Sequence, residues 1–429
     1  MKYTTTRGSD KVYGLKEAAF MGLAPDGGLF MPVSILQADM DEVVSRAQNS
    51  FADMAEYLAG LFFGGDLPAS ELRKAVDEAF FFPVPLKHLG DDKYTLELFH
   101  GPTAAFKDFG AGFMGRMLGR LRQGDEELTI LTATSGDTGS AVAHGFYNVP
   151  GIKVVILYPD GKISDLQESQ MTTLGGNIHA LRVDGTFDDC QRMVKEVFND
   201  AQYRANHNVT SANSINLLRW VPQSFYYFYG WALWRAETGD ALPDIIVPSG
   251  NYGNISAGML ARRMGLPIKR FIAASNANDV IPEFLQTGVY RPRPSVRTIA
   301  NAMDVGAPSN YERMISMTGG DIDVMRAEMA GFASDDADIR GAIREIYEKY
   351  GYISDPHSAT GYNAAVHYGT KGFWLSTAQA AKFGEVIEDT LGIAPPIPER
   401  LAALLGRPKV STPIAPDSGL LKEFVAELF

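Results

Sequence analysis

Cysteine and metal-ligand patterns are scarce in this chain. Cys190 is the only cysteine among 429 residues, which excludes intramolecular disulfides and cysteine-rich metal sites. A single cysteine also fits a protein of the reducing cytosol. The seven histidines, among them His100, His144 and His357, show no His-x-x-x-His or other metal-binding spacing. The sequence therefore predicts structural roles for the histidines and no metal site.

Long apolar runs and positive charge are also in short supply. No stretch of about 18 apolar residues occurs, and residues 1–8 lack the apolar run of a secretory signal, so we expect a soluble, cytoplasmic protein without a membrane partner. Lys and Arg number 39 against 51 Asp and Glu, which gives a net charge of −12. The electric field of a net negative charge attracts neither nucleic acid nor an anionic membrane. Any anion that the protein binds must therefore be held by local groups.

The rest of the composition, 45% hydrophobic and 21% charged residues, is typical of a globular protein of two or three domains. After a mainly helical first ninety or so residues, short apolar runs alternate with helical periods. The runs are Tyr94–Phe99, Thr129–Thr134, Lys153–Tyr158, Asn177–Val183, Asp244–Pro248, Ile268–Ala273 and Gly372–Ser376. This alternation predicts an α/β protein with mainly parallel sheets. Several runs end in Gly-, Ser- or Asn-rich turns, where open α/β sheets place their ligands.

A lysine stands at the start of a predicted helix. Phe109, Phe113 and Met117 recur at helical spacing, so the helix begins at about Asp108 and Lys107 lies on its first turn. A cation there opposes the helix dipole. Burial and a positive helix end would both lower its pKa and favour a neutral, nucleophilic amine. The alternative is a solvated lysine that flanks a core helix.

Four glycines fall inside the same predicted helix, at Gly110, Gly112, Gly115 and Gly119. Each glycine within a helix costs about 1 kcal/mol relative to alanine. We therefore expect that another part of the chain gains from close backbone approach to this helix.

Three further stretches have the composition of anion-binding turns. Thr132–Ser140 combines hydroxyls and glycines at a helix start, where backbone amides face an anion; a plain capped turn is the alternative. Pro248–Asn254 is neither a P-loop nor Gly-x-Gly-x-x-Gly, but its glycines allow N–H groups to turn inward around a phosphate; a tight structural turn is the alternative. In Ser211–Arg219, Asn213 or Ser214 would cap a helix along which Arg219 could aim its planar fork at the same anion; the alternative is a capping sequence with an exposed arginine.

Together these stretches resemble the threonine synthases, a family of fold type II pyridoxal-phosphate enzymes similar to the tryptophan synthase β subunit. The resemblance covers nearly the whole chain and includes Gly22–Leu29, Glu97–Phe109, Thr132–Gly139, Tyr158–Ser164, Ser211–Asn216, Pro248–Asn254, Asn301–Gly306 and Asp355–Ala359. The Phe-Lys-Asp-Phe and Thr-Ser-Gly-Asp-Thr-Gly segments are specific to this family. The resemblance implies the α/β fold type II architecture: two α/β domains with mainly parallel sheets and an N-terminal, mostly helical segment.

The resemblance also implies a domain division. Residues 1–95 are expected to form the N-terminal segment. Residues 96–125 and 210–429 are expected to form a large pyridoxal-phosphate-binding domain, with 126–209 inserted as a small, mobile α/β domain. We expect a monomer or a homodimer.

Individual residues receive roles from the same resemblance. Lys107 would be the catalytic residue, which holds the cofactor covalently through its amine and then transfers protons. The expected cofactor-binding residues are Lys107, Asp137 near the 3-hydroxyl, Gly250, Asn251, Tyr252, Gly253 and Asn254 on the phosphate, and Thr377 at the pyridine nitrogen. The expected substrate-binding residues are Ser135 and Thr138 on the carboxylate, and Thr134, Asn213, Ser214 and Arg219 on the phosphate.

The implied reaction converts O-phospho-L-homoserine and water to L-threonine and phosphate. The chain departs from the family pattern within Leu375–Phe383, where Gln379 and Ala380 replace His-Pro, although Thr377 is retained. Two alternatives stay open. The chain could be a phospholyase that releases a keto acid and ammonia, or a non-catalytic amino-acid- or phosphate-binding protein; Lys107 argues against the latter.

Overall fold

The computed structural model describes residues 1–134 and 136–428, apart from the side chains of Ala201 and Ala205. Its strands are β1 (Tyr3–Thr5), β2 (Phe30–Pro32), β3 (Leu86–Gly90), β4 (Lys93–Glu97), β5 (Leu128–Ala133), β6 (Ile152–Pro159), β7 (Ile178–Val183), β8 (Val209–Ser211), β9 (Asp244–Pro248), β10 (Arg270–Ser275), β11 (Met329–Ala333), β12 (Gly372–Ser376) and β13 (Thr412–Ile414). Its helices are α1 (Leu15–Met21), α2 (Met40–Ala47), α3 (Phe51–Phe63), α4 (Ala69–Ala79), α5 (Lys107–Leu121), α6 (Asp137–Phe146), α7 (Asp165–Thr172), α8 (Phe187–Asn199), α9 (Ala201–His207), α10 (Leu217–Trp220), α11 (Phe225–Thr238), α12 (Gly253–Arg263), α13 (Val280–Thr287), α14 (Tyr311–Met317), α15 (Ile322–Glu328), α16 (Asp336–Tyr350), α17 (Pro356–Tyr368), α18 (Gly384–Leu391), α19 (Glu399–Ala402) and α20 (Ser418–Glu427). Short 3₁₀ helices cover Val221–Ser224, Asn301–Met303 and Ala380–Phe383. Within the described residues, none of the helices combines the length and the apolar character needed to cross a membrane.

Two mainly parallel sheets form the framework. The larger has the strand order β11-β10-β9-β12-β4-β3, and only its β3–β4 pair is antiparallel. The smaller has the order β13-β7-β6-β5-β8 and is parallel throughout. The short strands β1 and β2 form a separate antiparallel pair. The α/β architecture expected from the sequence is confirmed.

Each of the seven apolar runs predicted as strands contains one. The runs correspond to β4, β5, β6, β7, β9, β10 and β12, and their bounds agree to within two residues. The strands β5, β9 and β12 are buried along their whole length. Parallel strands covered on both faces have continuous apolar runs instead of alternation, which is why the runs stood out.

The N-terminal segment is mostly helical and packs against α5. The rings of Phe80 and Phe113 are stacked with 5.7 Å between centroids. The ring of Phe51 meets Phe109 edge-on at 5.3 Å. These four side chains are buried. The segment therefore supports one face of the helix that begins at Lys107.

The glycines of α5 allow close packing at particular points. A Cβ atom at Gly115 would overlap the backbone of Gly145 in α6. A Cβ atom at Gly145 would in turn overlap the backbone of α5. At Gly110, a Cβ atom would lie 2.6 Å from the carbonyl oxygen of Arg219. A Cβ atom at Gly112 would find its nearest neighbour at 3.6 Å, an ordinary contact. Close backbone approach thus explains Gly110 and Gly115.

The C-terminal segment returns to the smaller sheet. Strand β13 pairs in parallel with β7, and Leu421 and Val425 of α20 belong to the same apolar cluster as Cys190 and Val197. The domain division expected from the sequence stays a prediction. The segment after residue 411 contacts the smaller sheet, although it follows the larger one in sequence.

Candidate active site

A cavity of about 360 Å³ lies where the carboxyl ends of β5, β9 and β12 meet the start of α5. Its lining includes thirteen of the residues predicted from the sequence: Lys107, Thr134, Asp137, Thr138, Asn213, Ser214, Arg219, Gly250, Asn251, Tyr252, Gly253, Asn254 and Thr377. Ser135, the remaining predicted residue, lies outside the described residues. The structure therefore brings together every predicted site residue that it describes.

Lys107 is the first residue of α5, as the helical spacing predicts. The chain just before it is held against the segment that follows β12. Ala105 and Ala378 form an isolated antiparallel bridge. The Phe106 N–H donates to the Thr377 carbonyl at 2.8 Å. These bonds fix where the lysine enters the cavity.

The surroundings of Lys107 favour its neutral form. Burial lowers the pKa of Lys107 to about 8; the charge of Asp137 opposes this change, and those of Arg219 and Lys382 add to it. A lysine in water has a pKa of about 10.4. Near neutral pH, a far larger fraction of Lys107 is therefore neutral than of a lysine in water. The neutral amine is the form that attacks a carbonyl carbon.

Asp137 begins α6 and pairs with a buried lysine. Its Oδ1 atom accepts from Lys382 Nζ at 2.7 Å and from Gln167 Nε2 at 2.9 Å. Burial alone would raise the pKa of Asp137, but the charges of Lys382 and Lys107 outweigh it and hold the pKa below its usual range. Asp137 is therefore a carboxylate in the cavity wall.

The loop 250–254 presents unpaired backbone N–H groups at the start of α12. Within the described residues, the backbone N–H groups of these five residues have no hydrogen-bond acceptor. Tyr252 has the left-handed φ of 60°, and the Asn254 side chain donates to the Pro248 carbonyl at 2.8 Å, which fixes the turn. Free N–H groups at a helix start form a site for a phosphate.

Arg219 is a second cation in the cavity wall. Its side chain donates to the Ala212 carbonyl, and within the described part of the chain it has no carboxylate partner. Burial lowers the pKa of Arg219 to about 10, so the guanidinium remains charged at neutral pH. Burying an uncompensated charge costs several kcal/mol. An anion in the cavity would offset that cost.

Two of the predicted anion-binding stretches contact each other. Ser214 Oγ accepts from Asn251 Nδ2 at 2.7 Å and from Asn310 Nδ2 at 3.2 Å. Asn213 Oδ1 accepts from Thr132 Oγ1 at 2.9 Å. The segment that carries Arg219 and the loop 250–254 are thereby held at a fixed separation across the cavity. The prediction that Asn213 or Ser214 caps the following helix is wrong: Asn216 caps α10, and its side chain accepts from the Leu218 N–H at 3.0 Å.

The side chain of Thr134 stabilises the turn that follows β5. Its hydroxyl oxygen accepts from the N–H groups of Gly136 at 2.9 Å and Gly139 at 2.8 Å. Thr138, one residue into α6, is half-buried and lines the cavity. Thr134 therefore shapes the turn, while Thr138 has the more accessible side chain.

Thr377 offers a hydroxyl to the cavity. Within the described residues this hydroxyl makes no hydrogen bond, while its own N–H donates to Ser358 Oγ at 2.9 Å. Ser358 Oγ in turn donates to the Asp355 carboxylate. The same carboxylate lies 2.9 Å from His357 Nδ1, and His357 Nε2 accepts from the Ala302 N–H at 3.1 Å. Both ring nitrogens of His357 are thus hydrogen-bonded within the protein, and His357 also lines the cavity.

These groups fit pyridoxal phosphate, the cofactor expected from the sequence. Lys107 supplies a buried amine of lowered pKa. The unpaired N–H groups of the loop 250–254 match a phosphate, and the unpaired Thr377 hydroxyl can donate to a ring nitrogen. The aldehyde, the phosphate and the ring nitrogen of the cofactor thus each have a possible counterpart in the wall of one cavity.

Sequence reasoning missed the site role of Lys382. This lysine is only 3% exposed and lies in a 3₁₀ helix of otherwise apolar residues, Ala380–Phe383. That apolar setting was the one available signal, since a lysine among buried residues requires a partner. Phe187 and Gln191 of α8 also line the cavity, and no motif marked them. No group of three or more possible metal ligands is found among the described residues.

Models of known protein families match the chain along most of its length. The model described as "Threonine synthase N terminus" matches residues 2–80. "Pyridoxal-phosphate dependent enzyme" matches residues 83–372, and "Threonine synthase, C-terminal" matches residues 358–425. The last of these includes Thr377 and Lys382. The three matches follow one another along a single chain.

Curated relatives and solved structures agree with these matches. The chain is 42% identical to threonine synthase of Serratia marcescens, covering 100% of both chains, and 41% identical to that of Escherichia coli K12, covering 99% of both. The crystal structure of threonine synthase from Escherichia coli has a TM-score of 0.92 at 40% identity and covers 100% of both chains. That of pyridoxal-phosphate-bound threonine synthase from Brucella melitensis has a TM-score of 0.94 at 34% identity, covering 100% of this chain and 99% of the other.

Proposed function

The chain belongs to the threonine synthase family of pyridoxal-phosphate-dependent lyases, and from this premise we propose how its cavity converts O-phospho-L-homoserine and water to L-threonine and phosphate. One observation carries the proposal. A single cavity is lined by a buried lysine of lowered pKa, by the unpaired N–H groups of the loop 250–254 and by the guanidinium of Arg219, which supports two separate sites for anions. A cofactor phosphate and a substrate phosphate require two such sites.

The reaction needs several proton transfers that one lysine can perform. Protons leave Cα and then Cβ of the substrate, phosphate leaves Cγ, and a proton is added at Cγ. Water then adds across Cα and Cβ, with its hydroxyl bonding to Cβ and a proton to Cα. When bound, pyridoxal phosphate supplies the electron sink for these steps. Lys107 Nζ accepts and returns protons, since its lowered pKa places both of its protonation states within reach near neutral pH.

The remaining residues hold the two ends of the substrate and the cofactor. The loop 250–254 would hold the cofactor phosphate, Asp137 would serve the 3-hydroxyl, and Thr377 would serve the pyridine nitrogen. Thr134, Asn213, Ser214 and Arg219 take the substrate phosphate, and Thr138 takes the carboxylate together with Ser135. Fixing both ends of a small substrate aligns the C–O bond that breaks.

The surroundings of the reaction follow from the same premise. We infer that the enzyme works in the cytoplasm as a monomer or homodimer. The inserted domain, 126–209, closes over the substrate, because Asp137 and Thr138 belong to it and Lys107 does not. Closure would exclude water until the step that requires it.

Product analysis tests the proposal. The purified protein is incubated with O-phospho-L-homoserine, and the products are identified by mass spectrometry and a phosphate assay. We expect L-threonine and phosphate in equal amounts. A keto acid with ammonia would instead establish a phospholyase. Absence of both turnover and absorbance near 410 nm would favour a binding protein.

A further inference from the structure

Lys382 is a buried cation that the proposed reaction does not use. Its Nζ atom lies 2.7 Å from Asp137 Oδ1 and donates to the Thr103 carbonyl at 2.8 Å. The side chains of Lys382 and Asp137 are buried almost completely. Burying two charges is expensive unless their geometry is good and other hydrogen bonds support them. Such a pair beside a catalytic lysine therefore calls for an explanation.

The ammonium group of Lys382 joins parts of the two sheets. Lys382 follows β12 of the larger sheet, and Asp137 follows β5 of the smaller one. Thr103 lies just before α5. Gln167 of α7, also on the smaller sheet's side, donates to the same carboxylate oxygen at 2.9 Å. One buried contact thus fixes the start of α6 relative to the entry of Lys107.

Lys382 and Lys107 are the two cations that act on Asp137. Among the described residues, the ion pair of this carboxylate is with Lys382 and not with Lys107. Three charged groups act on Lys107, namely Asp137, Arg219 and Lys382. Asp137 interacts with Lys382, Lys107 and Asp108. Lys382 also interacts with Asp108 and His144. If Lys382 were absent, Lys107 would be the remaining amine available to Asp137.

We propose that Lys382 is a positioning residue, whose ammonium group keeps the Asp137 carboxylate from pairing with Lys107 and fixes the helix that carries that carboxylate. The proposal rests on Lys107 being the cofactor's lysine, as proposed above. It assigns to Lys382 control over the charge at the Lys107 nitrogen, without contact with the reacting atoms. The effect is electrostatic, because Asp137 raises and Lys382 lowers the pKa of Lys107.

The test is a pH titration of the absorbance of the holoenzyme's cofactor. In Lys382→Met we expect the midpoint to move to higher pH by about one unit or more, because the freed carboxylate stabilises a positive charge at the Lys107 nitrogen. In Asp137→Asn we expect a midpoint below that of the wild type. The midpoint of the double variant should lie between those of the two single variants. The double variant lacks both the carboxylate that raises the pKa of Lys107 and the ammonium group that lowers it.

A second measurement tests the proposal if one of the single variants folds too poorly to bind the cofactor. The cofactor-free, full-length chains are labelled with acetic anhydride at a series of pH values, and modification of Lys107 is measured by mass spectrometry. The same order of midpoints is expected. The double variant removes both members of the Lys382–Asp137 pair and so leaves neither of these two charges buried without its partner. It should therefore fold more readily than Lys382→Met, and it preserves the comparison with Asp137→Asn.

The matched control is Lys409→Met. Lys409 also bridges to carboxylates, Asp165 and Glu168, but at the surface and away from the cavity. The midpoint of the absorbance titration of Lys409→Met should equal that of the wild type. Equal midpoints in wild type and Lys382→Met, or an equal change in Lys409→Met, would overturn the proposal. Because the wild type's products are measured separately, this failure would leave the proposed function standing.

Discussion

The two regions of the cavity that we propose to bind anions consist of different chemical groups. The loop 250–254 offers backbone N–H groups at the start of α12 (Gly253–Arg263), whereas the other region depends on the guanidinium of Arg219. Backbone donors are oriented by the fold and carry no net charge. The guanidinium carries a full charge, but its orientation depends on one side chain. The first region therefore suits a ligand that stays, and the second suits a ligand that enters and leaves.

This difference determines how each region responds to substitution. No side-chain deletion removes the N–H groups of the loop 250–254, so that region fails when its backbone is displaced. The other region fails when Arg219 is shortened. Lys107 lines the same cavity and is proposed to act on both the cofactor and the substrate. The four predictions below separate these contributions.

The largest effect is expected from Lys107→Ala, which removes the amine that both regions serve. Turnover should fall by about 10⁴-fold or more, since proton transfer by a positioned base contributes about 10²–10⁴-fold even without its covalent role. The absorbance near 410 nm should be lost. Lys371→Ala, at an exposed lysine, is the control and should resemble the wild type. An active, yellow Lys107→Ala variant would remove the central claim.

Arg219→Ala should act on the substrate and spare the cofactor. Hydrogen bonds to charged groups contribute about 1.5–3 kcal/mol, so KM for O-phospho-L-homoserine should rise by about 10- to 100-fold. The cofactor absorbance should not change. Steady-state kinetics and spectra of the same preparations check both statements.

Arg219→Lys is the matched variant for this prediction. It keeps the charge but loses the planar fork, so its KM should lie between those of the wild type and Arg219→Ala. An unchanged KM in Arg219→Ala would move the substrate phosphate site elsewhere.

Gly250→Ala should weaken the cofactor site with little effect on the substrate site. The added Cβ atom would lie 2.6 Å from Met303 Cα, and because backbone must move, overpacking costs about 1–3 kcal/mol. Cofactor affinity, measured by fluorescence titration, should fall by about tenfold or more. KM at saturating cofactor should change little. In Gly341→Ala the new methyl group would meet open space, so an equal loss there would refute the explanation.

The smallest effect is a pH dependence that needs no substitution. The pKa of Lys107 is lowered to about 8, so its amine is protonated below that pH and neutral above it. The rate at which cofactor-free protein captures pyridoxal phosphate should rise with pH and reach half its maximum near pH 8. A midpoint near 10.4, the value for an exposed lysine, would show that burial does not tune this amine.

Much of the framework is decided by local sequence. Seven strands stood out as apolar runs because parallel strands are buried on both faces. The helical spacing after Lys107 located the start of α5 (Lys107–Leu121). In contrast, β11 (Met329–Ala333) has the sequence Met-Ala-Gly-Phe-Ala, which lacks the β-branched residues that indicate strands. It forms a strand because β10 (Arg270–Ser275) lies beside it.

The sequence by itself determined the chemistry available to this protein: a lysine at a helix start, two turns rich in glycine and in hydroxyl or amide side chains, and an arginine near a helix start. These follow from spacing and turn residues over a few positions. Only the tertiary structure decided which charges face each other. Lys382 pairs with Asp137, and Ser214 with Asn251, across separations that no local pattern records. Coulomb forces and hydrogen bonds act over a few ångströms in space, so the electrostatic setting of Lys107 was fixed only when the chain folded.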